Sequence, residues 1–544
     1  MPPSMLDWLP EDHLVWFVIA AVQRLDCSRF HERARLGGVG RRGYDPQMLL
    51  TLFVYAMAHG ESSSRRIERL CHTDVAFRLI CASDAPDHTV LARFRAHHQR
   101  ALGDLLTESL AVAAELGMVR LGVVAFDGTK IAANASREAN RSEEHLAKLA
   151  EEFLGTLGAT DAAEDLLFGA GARGDELPVG VGDRTRRGER ITAALAQVRT
   201  RRDAAEAARR EQAGRERAYE QAAEASAAPG AVMRPGRPPR NADVVTVTQA
   251  RLNRRRARAQ ARHDEWAARA GRTRAQGRVP SGRPPVPVED QRGVRAARAA
   301  YQAARAEAAE RAVDQAHSGE TGSEGPAGRT DRTEGAEGAE RLNVNLTDPD
   351  SRLLKTRNGW VQGYNCQTAV SQDEFIVSAR ATQDANDVEQ FVPTVDDLTA
   401  TAERLAARTG REDLTVGTMV GDAGYDSQTN LDAAGPDRLI ADAKRHLIDQ
   451  RAAAEPATGD PPAGASARQK MNHRLRTPEG HSLYKRRAPT VEGPNAWLKD
   501  RRGLRRFARR GLAAAQAELS FACAVTNLLK LATKGVTATR LQTG

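Results

Sequence analysis

The sequence predicts an α/β fold that is preceded by an all-α N-terminal domain and interrupted by a long helical insertion. Residues 1–115 contain several helix starts, and short apolar runs typical of strands appear at 121–127 and again between 364 and 441. Residues 141–340, between those runs, are rich in Ala, Arg and Glu. Aromatic residues make up only 4% of the 544 residues and charged residues 28%, so part of the chain lacks the bulky groups that pack a core.

The N-terminal region is predicted to be helical because polar caps precede its apolar runs. Asp45-Pro46 combines a capping side chain with a proline at the first helical position. Residues 62–64, all serine, can cap a second helix, and Asp87 can cap a third. Short helices with tight polar turns suit either a helix-turn-helix or a plain bundle that braces the rest of the chain.

Strand signals begin at Leu121, where a short apolar run ends in Asp127-Gly128 and reads as a buried strand. The later signals are a hairpin at 364–370 and 375–379, a helix around 388–392, a strand at 415–420 that ends in Gly421-Asp422, and a short strand at 439–441. Helices and strands alternate through this part of the chain, which indicates an α/β core.

The insertion has high helix propensity, but its helical face is mostly alanine and buries little. Proline-rich breaks at 234–240 and 278–287 divide it, and 318–340 is a Gly/Glu/Thr linker. It is either a helical module outside the α/β core or a partly disordered spacer. The predicted division is 1–115 for the helical domain, 116–140 with 341–450 for the core, 141–340 for the insertion, 451–480 for a linker, and 481–544 for a basic helical part that completes the core.

The net charge of +9 favours an anionic partner, either nucleic acid or an acidic membrane surface. No run approaches the roughly 18 uninterrupted apolar residues of a membrane span, and acids at positions 7, 11 and 12 do not fit a secretory signal. The five cysteines show no paired spacing, so neither a zinc site nor a disulfide framework is predicted. We therefore expect a cytoplasmic protein that associates with nucleic acid and has no membrane partner.

Two predicted strands each end in an aspartate, Asp127 and Asp422. In open α/β sheets ligands gather at the carboxyl ends of strands, so these carboxylates can meet if the strands are neighbours. Asp-Gly after a strand is more often only a turn, and the pair gains meaning only with a third acid.

Glu492 is the candidate for that third acid. It lies seven residues before Lys499, about two helical turns, so on a helix the two share a face. Pro494 is expected in a first helical turn, where proline is tolerated. The alternative is a solvated helix that carries an ordinary acid among basic residues.

The basic surroundings favour a functional role for Glu492. Between 484 and 510 there are ten Lys and Arg residues but only two acids, Glu492 and Asp500, which suits a stretch that binds phosphates. Three carboxylates without organised His or Cys ligands suit Mg²⁺ or Mn²⁺ better than zinc. A pair of such ions can activate the attacking oxygen and stabilise the leaving oxygen in phosphodiester chemistry.

With these residues the chain resembles the DDE transposases of bacterial insertion sequences, in the branch with a Tyr-Arg-Glu-Lys signature (the insertion-sequence-four superfamily). The matching motifs are Ala125 to Ser136, Asp348 to Arg352 with Gly363-Tyr364-Asn365, Gly421 to Asp426, Tyr484 with Arg487, Glu492 and Lys499, Arg505 to Gly511, and Asn527 to Leu529. Asp87 to Arg95 resembles the helical domain that precedes the catalytic domain in these enzymes. One departure is that four residues separate Arg487 from Glu492, where the signature often has three.

The resemblance implies an RNase H-like catalytic domain, a mixed sheet flanked by helices. In that fold Asp127 ends the first strand, Asp422 ends the fourth, the two strands are adjacent, and Glu492 comes from a later helix. These three acids are then both catalytic residues and metal ligands, with two Mg²⁺ or Mn²⁺ ions. The expected DNA contacts are Tyr484, Arg487, Lys499, Arg505, Arg506, Arg509 and Arg510.

The predicted function is therefore that of a DNA transposase. It would cleave the ends of its own insertion element and join them to target DNA, as at least a dimer on double-stranded DNA that carries terminal inverted repeats. Such a protein would act in the bacterial cytoplasm, in association with the nucleoid. Two alternatives stay open: an RNase H-like nuclease without strand transfer, and a non-enzymatic DNA-binding protein derived from a transposase.

Overall fold

A computed structural model shows a mixed α/β protein with one mixed sheet. It describes residues 5–32, 43–152, 182–225, 244–279, 282–317, 343–356, 359–462 and 464–543. The chain divides into two compact units, one formed by Met1–Leu195 with Asn343–Gly544 and the other by Ala196–Leu342. The second unit falls almost entirely within the segment 141–340 that the sequence predicts as an insertion.

The N-terminal region is helical, as the sequence predicts. Its helices are α1 (Leu14–Arg24), α2 (Ser28–His31), α3 (Pro46–Ala58), α4 (Ser64–Thr73), α5 (Val75–Ile80), α6 (His88–His97) and α7 (Gln99–Glu115). Asp45 caps α3 by accepting from the Gln47 backbone N–H, and Asp87 caps α6. Ser63 occupies the N-cap position of α4, but its side chain makes no capping hydrogen bond.

The main sheet has six strands, and its strand order is β4-β5-β1-β7-β8, with β6 also paired to β5. Its strands are β1 (Val123–Ala132), β4 (Arg352–Thr356), β5 (Gly359–Ser371), β6 (Ile376–Thr382), β7 (Thr418–Gly421) and β8 (Asp437–Ile440). β2 (Asn140–Ser142) and β3 (Asn343–Asn345) form a separate two-stranded ribbon. The predicted hairpin is confirmed, because β5 and β6 pair antiparallel.

Strand β1 lies between β5, which is antiparallel to it, and β7, which is parallel. The adjacency of the two aspartate-bearing strands is therefore confirmed. Two details of the expectation are wrong. β1 does not end at Asp127 but continues to Ala132, because its antiparallel pairing with β5 extends to the Ala132–Gly363 pair. Asp422 follows β7, the seventh strand among the described residues rather than the fourth, since β2 to β4 were not anticipated as strands.

Helices flank this sheet. They include α12 (Phe391–Thr409), α17 (Arg487–Asp500) and α18 (Leu512–Thr533). α18 packs against β6 and α7. It is the one helix in the described residues that is long and apolar enough to cross a membrane, and most of it is buried inside the fold. The remaining C-terminal helices are α13 (Gln428–Asp432), α14 (Arg445–Ala454), α15 (Ala467–Arg476), α16 (Pro478–Lys485) and α19 (Ala538–Thr543). Helix α15 occupies part of the segment predicted as a linker.

The described parts of the insertion are helical, as predicted. Residues 143–152 form α8, followed by α9 (Gly182–Ala225), α10 (Val244–Ala275) and α11 (Arg292–His317). In the second unit, α10 and α11 bury a small cluster of Leu252, Ala259, Val294 and Ala297. Three of its four members are alanine or valine, so this interface is thin, as the composition indicates.

Candidate active site

Asp127 lies in the middle of β1, next to the best-packed part of the sheet. The three residues before it, 124–126, are fully buried, and Phe126 packs edge-on against Tyr425. The Asp127 side chain is about one quarter exposed, and its Oδ1 accepts from the backbone N–H of Gly128 at 2.8 Å. The strand therefore holds the carboxylate at the edge of the core with access to solvent.

Asp422 directly follows β7 and caps the short 3₁₀ turn Ala423–Tyr425. Its Oδ1 accepts from the Gly424 backbone N–H at 2.9 Å. The preceding residue must be glycine, because a Cβ on Gly421 would lie 2.3 Å from the Phe126 ring. β1 and β7 thereby approach closely and bring Asp422 into electrostatic contact with Asp127.

Arg487, the first residue of α17, lies beside both aspartates. Its Nη1 is 3.3 Å from Asp127 Oδ2, and this buried nitrogen has no aligned hydrogen bond within the described residues. Burial raises the pKa of Asp127 to about 6; Arg487 opposes that shift and Asp422 adds to it. Burial lowers the pKa of Arg487, but Asp127 and Asp422 outweigh it and raise that pKa above its usual value.

Helix α17 packs on β1 and β5 through Val491, Pro494 and Leu498. The helix begins at Arg487, so Pro494 is interior; the expectation that it occupies a first turn is wrong. Since proline carries no N–H, the carbonyl of residue 490 loses its helical partner there.

The flank of α17 next to that buried face carries Asn495 and Lys499. Asn495 Oδ1 accepts from Thr368 Oγ1 at 2.8 Å, and Thr368 is the register partner of Asp127. Burial lowers the pKa of Lys499, while Cys366 and, more weakly, Asp127 act against that shift. Glu492 is three residues before Asn495 on the same helix and is exposed. The structure thus brings Asp127, Asp422 and Arg487 together and places Glu492 on the solvent flank of the adjoining helix.

Apart from Arg487 and Lys499, the residues predicted to contact DNA fall into two groups. Tyr484 is buried and interacts with Arg487, while Arg509 donates to Arg95 O and to Gln99 Oε1, so both support the fold. Arg505, Arg506 and Arg510 are exposed. Arg505 pairs with Asp500, and Arg510 Nε donates to Asn134 O at 3.1 Å.

Sequence reasoning missed Asp387, which precedes α12. Asp387 Oδ1 accepts from Asn365 Nδ2 at 2.8 Å and from Gln367 Nε2 at 2.7 Å. The carboxylates of Asp387, Asp127 and Asp422 all contribute to raising the pKa of Tyr425, after burial as the main cause. Asp387 does not directly follow a predicted strand, so no strand-end pattern marks it. The signal available in the sequence was the pair of amide side chains at alternate positions of β5, Asn365 and Gln367.

The donor chemistry of this region is that of a site for a hard cation, because carboxylate and amide oxygens predominate. Within the described residues, however, no group of three or more His, Cys, Asp or Glu side chains is arranged to hold a metal ion. Asp127 and Asp422 are therefore two adjacent carboxylates whose cationic neighbour in this structure is Arg487.

Two family models match the chain, at its two ends. A model described as "Transposase domain (DUF772)" matches residues 3–97, and one described as "Transposase DDE domain" matches residues 461–532. The second covers Glu492 and Lys499 but neither Asp127 nor Asp422. No curated protein and no solved structure matches the chain. Together the two matches support an insertion-sequence transposase, and the DDE domain suggests an enzyme that cleaves DNA.

Proposed function

We propose that this protein is a DDE transposase that cleaves the ends of its own element and joins them to target DNA by metal-dependent phosphoryl transfer. The observation that carries the proposal is the placement of Asp127 on β1 and of Asp422 directly after β7, the parallel strand next to β1. The catalytic domain is then RNase H-like, with Glu492 on α17 as the third acid. The protein acts in the cytoplasm as at least a dimer on DNA with terminal inverted repeats.

The residues present fit Mg²⁺ or Mn²⁺. Asp127 and Asp422 are hard oxygen donors, and burial with mutual repulsion raises the pKa of Asp127 to about 6 despite the nearby guanidinium. A divalent cation would remove that repulsion. When bound, such ions activate an attacking oxygen and stabilise a leaving oxygen at phosphorus.

The chain's own residues supply orientation and phosphate contacts. Asp422 is held by its capping bond to Gly424, so its carboxylate has a fixed direction at the end of β7. Arg487 is held between Asp127 and Tyr484 and stays charged, which suits an anionic phosphate beside the acids. Lys499 and the exposed Arg505, Arg506 and Arg510 extend the positive surface along the chain after α17.

The test replaces Asp127, Asp422 and Glu492 singly with Ala and measures Mg²⁺-dependent cleavage of DNA that carries the element's terminal repeats. Each variant should lose about three orders of magnitude in cleavage rate, and the losses should not add in the double variants, because the three groups act as one unit. DNA binding, measured by mobility shift, should change little. The matched control is Glu479→Ala, which removes another exposed acid from the C-terminal helices.

The same assay separates the alternatives. Cleavage followed by strand transfer into a plasmid supports a transposase, whereas cleavage without joined products supports a nuclease. DNA binding without any cleavage would indicate a DNA-binding derivative. A variant that cleaves as well as the wild type removes its residue from the site. Of the three acids, Glu492 is tested most severely by this assay, because it lies on the solvent flank of α17.

A further inference from the structure

Asp387 lies in the connection between β6 and α12, on the side of β1 where Gly128 has no side chain. A Cβ on Gly128 would lie 2.5 Å from Asp387 Oδ1 and 2.7 Å from Gln367 Nε2. The carboxylate therefore contacts the backbone of β1 one residue beyond Asp127. This close approach is possible only because residue 128 is glycine.

The second oxygen of Asp387 lies towards Asp422. The position that a Cβ would take on Gly424 is 3.0 Å from Asp422 Oδ1 and 3.8 Å from Asp387 Oδ2. Both carboxylates thus border the same small space beside the Asp422 turn. Carboxylate oxygens that border one space are ligands that a divalent cation prefers.

A relay of hydrogen bonds fixes the direction of Asp387. The Tyr425 hydroxyl donates to Gln367 Oε1, which turns the Gln367 amide so that Nε2 donates to Asp387 Oδ1. Asn365 Nδ2 donates to the same oxygen. Both donors to the carboxylate are neutral amides, so these bonds orient its charge without neutralising it.

An unpartnered oxygen beside Asp387 points to a missing cationic or hydrogen-donating ligand. Asn365 is fully buried, and among the described residues its Oδ1 has no hydrogen-bond partner. Leaving a buried acceptor unpaired is unfavourable, and amide and carboxylate oxygens are the ligands that a hard cation prefers.

We propose that Asp387 and Asp422 together bind a divalent cation, Mg²⁺ or Mn²⁺, so that Asp387 is a carboxylate ligand of this site. The inference rests on the proposed function, because the cation is the one that phosphoryl transfer at Asp127 and Asp422 would use. Gly128 and Gly424 keep the space between the carboxylates clear, and the Tyr425–Gln367 relay holds Asp387 in position.

The test measures Mn²⁺ binding to the full-length, metal-free protein without DNA, by calorimetry and by the paramagnetic resonance signal of free Mn²⁺. Asp387→Asn keeps an oxygen for the two amide donors but removes the charge; we expect it to weaken Mn²⁺ binding about tenfold or more, as should Asp422→Asn. The control Glu389→Gln removes an exposed acid two residues away and should leave the affinity unchanged. Mn²⁺ binding by D387N at the wild-type affinity, or no Mn²⁺ binding by the wild type, would overturn the inference.

A second measurement uses only the wild-type chain and so does not depend on the folding of a variant. Fe²⁺ bound in place of Mn²⁺, with ascorbate and peroxide, should cut the backbone near residues 387 and 424. Cuts elsewhere, with none near either residue, would contradict the site. If Asp387 binds the cation but no DNA is cleaved, the proposed function fails and the site stands. If Asp127 and Asp422 are needed for cleavage while D387N binds Mn²⁺ normally, only the inference fails.

Discussion

The carboxylates on the two faces of β1 have different neighbours. On the face towards α17, Asp127 lies beside the guanidinium of Arg487, and its cross-strand partner Thr368 donates to Asn495. On the opposite face, beyond Gly128, the carboxylate of Asp387 is held by neutral amides. Side chains alternate along a strand, so the adjacent residues 127 and 128 face opposite sides of the sheet. Asp127 therefore lies on the side with Arg487, and Asp387 lies on the side of Gly128. On the first face the chain itself supplies one cationic neighbour, Arg487, whereas on the second face the hydrogen-bond donors to the carboxylate of Asp387 are amides.

The Gly128 face should be the more sensitive one to added volume. Gly128→Ala places a methyl group 2.5 Å from Asp387 Oδ1, so the carboxylate and the Gln367 amide must move apart. We expect a loss of about 3 kcal/mol in the free energy of unfolding, the upper end for overpacking a filled site. Urea denaturation measures it. The matched control is Gly493→Ala in α17, where a Cβ meets nothing within 4 Å and should stabilise the helix by about 0.5–1 kcal/mol.

Equal stability of the Gly128→Ala and wild-type proteins would show that Asp387 is not held against β1. The comparison between the two faces would then lose its structural basis, whatever the metal affinity of the variant.

On the Asp127 face, compensation by Arg487 is incomplete, and this predicts a pH dependence for the metal-free protein. Burial raises the pKa of Asp127 from its ordinary 3.8 to about 6, so the folded state holds the proton more tightly than the unfolded state. The stabilisation is complete below about pH 4 and is lost as the pH rises through 6. Asp127→Asn removes this dependence.

We therefore expect Asp127→Asn to be more stable than the wild type by about 1–2 kcal/mol above pH 6, a value reduced because the side chain is one quarter exposed. The difference should vanish near pH 4. Thermal melts in a chelator, from pH 4 to 8, measure it, with Glu389→Gln as a control. A constant difference across this range would mean that Arg487 fully compensates Asp127.

The sequence predicted those parts of the site that strands and local signals define. Short apolar runs that end in Asp127 and Asp422 identified two strands, and the resemblance supplied their adjacency, which the pairing of β1 with β7 confirms. The extent of β1 was underestimated because its last residues, 128–132, are held by pairing with β5, a partner more than 200 positions away. Local pattern carries no information about such a partner.

Asp387 was missed for a similar reason. Its role depends on Asn365 and Gln367 from β5 and on the absence of a side chain at Gly128, three positions that are remote in sequence. Tyr484 and Arg509 are predicted to contact DNA, and in this structure Tyr484 is buried while the half-buried Arg509 donates to Arg95 O and Gln99 Oε1. Composition predicts the positive charge of the 484–510 segment, but the direction of each side chain depends on how the helices pack.

The smallest expected effect concerns the cations on the Asp127 face. Lys499 lies on α17 within electrostatic reach of Asp127, so it can contact a phosphate held at the acids, whereas Arg509 is occupied by Arg95 O and Gln99. Lys499→Ala should reduce the slope of log affinity against log salt by about 0.9, the value for one lost phosphate contact, and weaken binding equally across DNA sequences. Arg509→Ala should lower stability and leave the slope unchanged. Binding titrations at several salt concentrations measure both, and an unchanged slope for the Lys499 variant would mean that phosphates do not approach this face of β1.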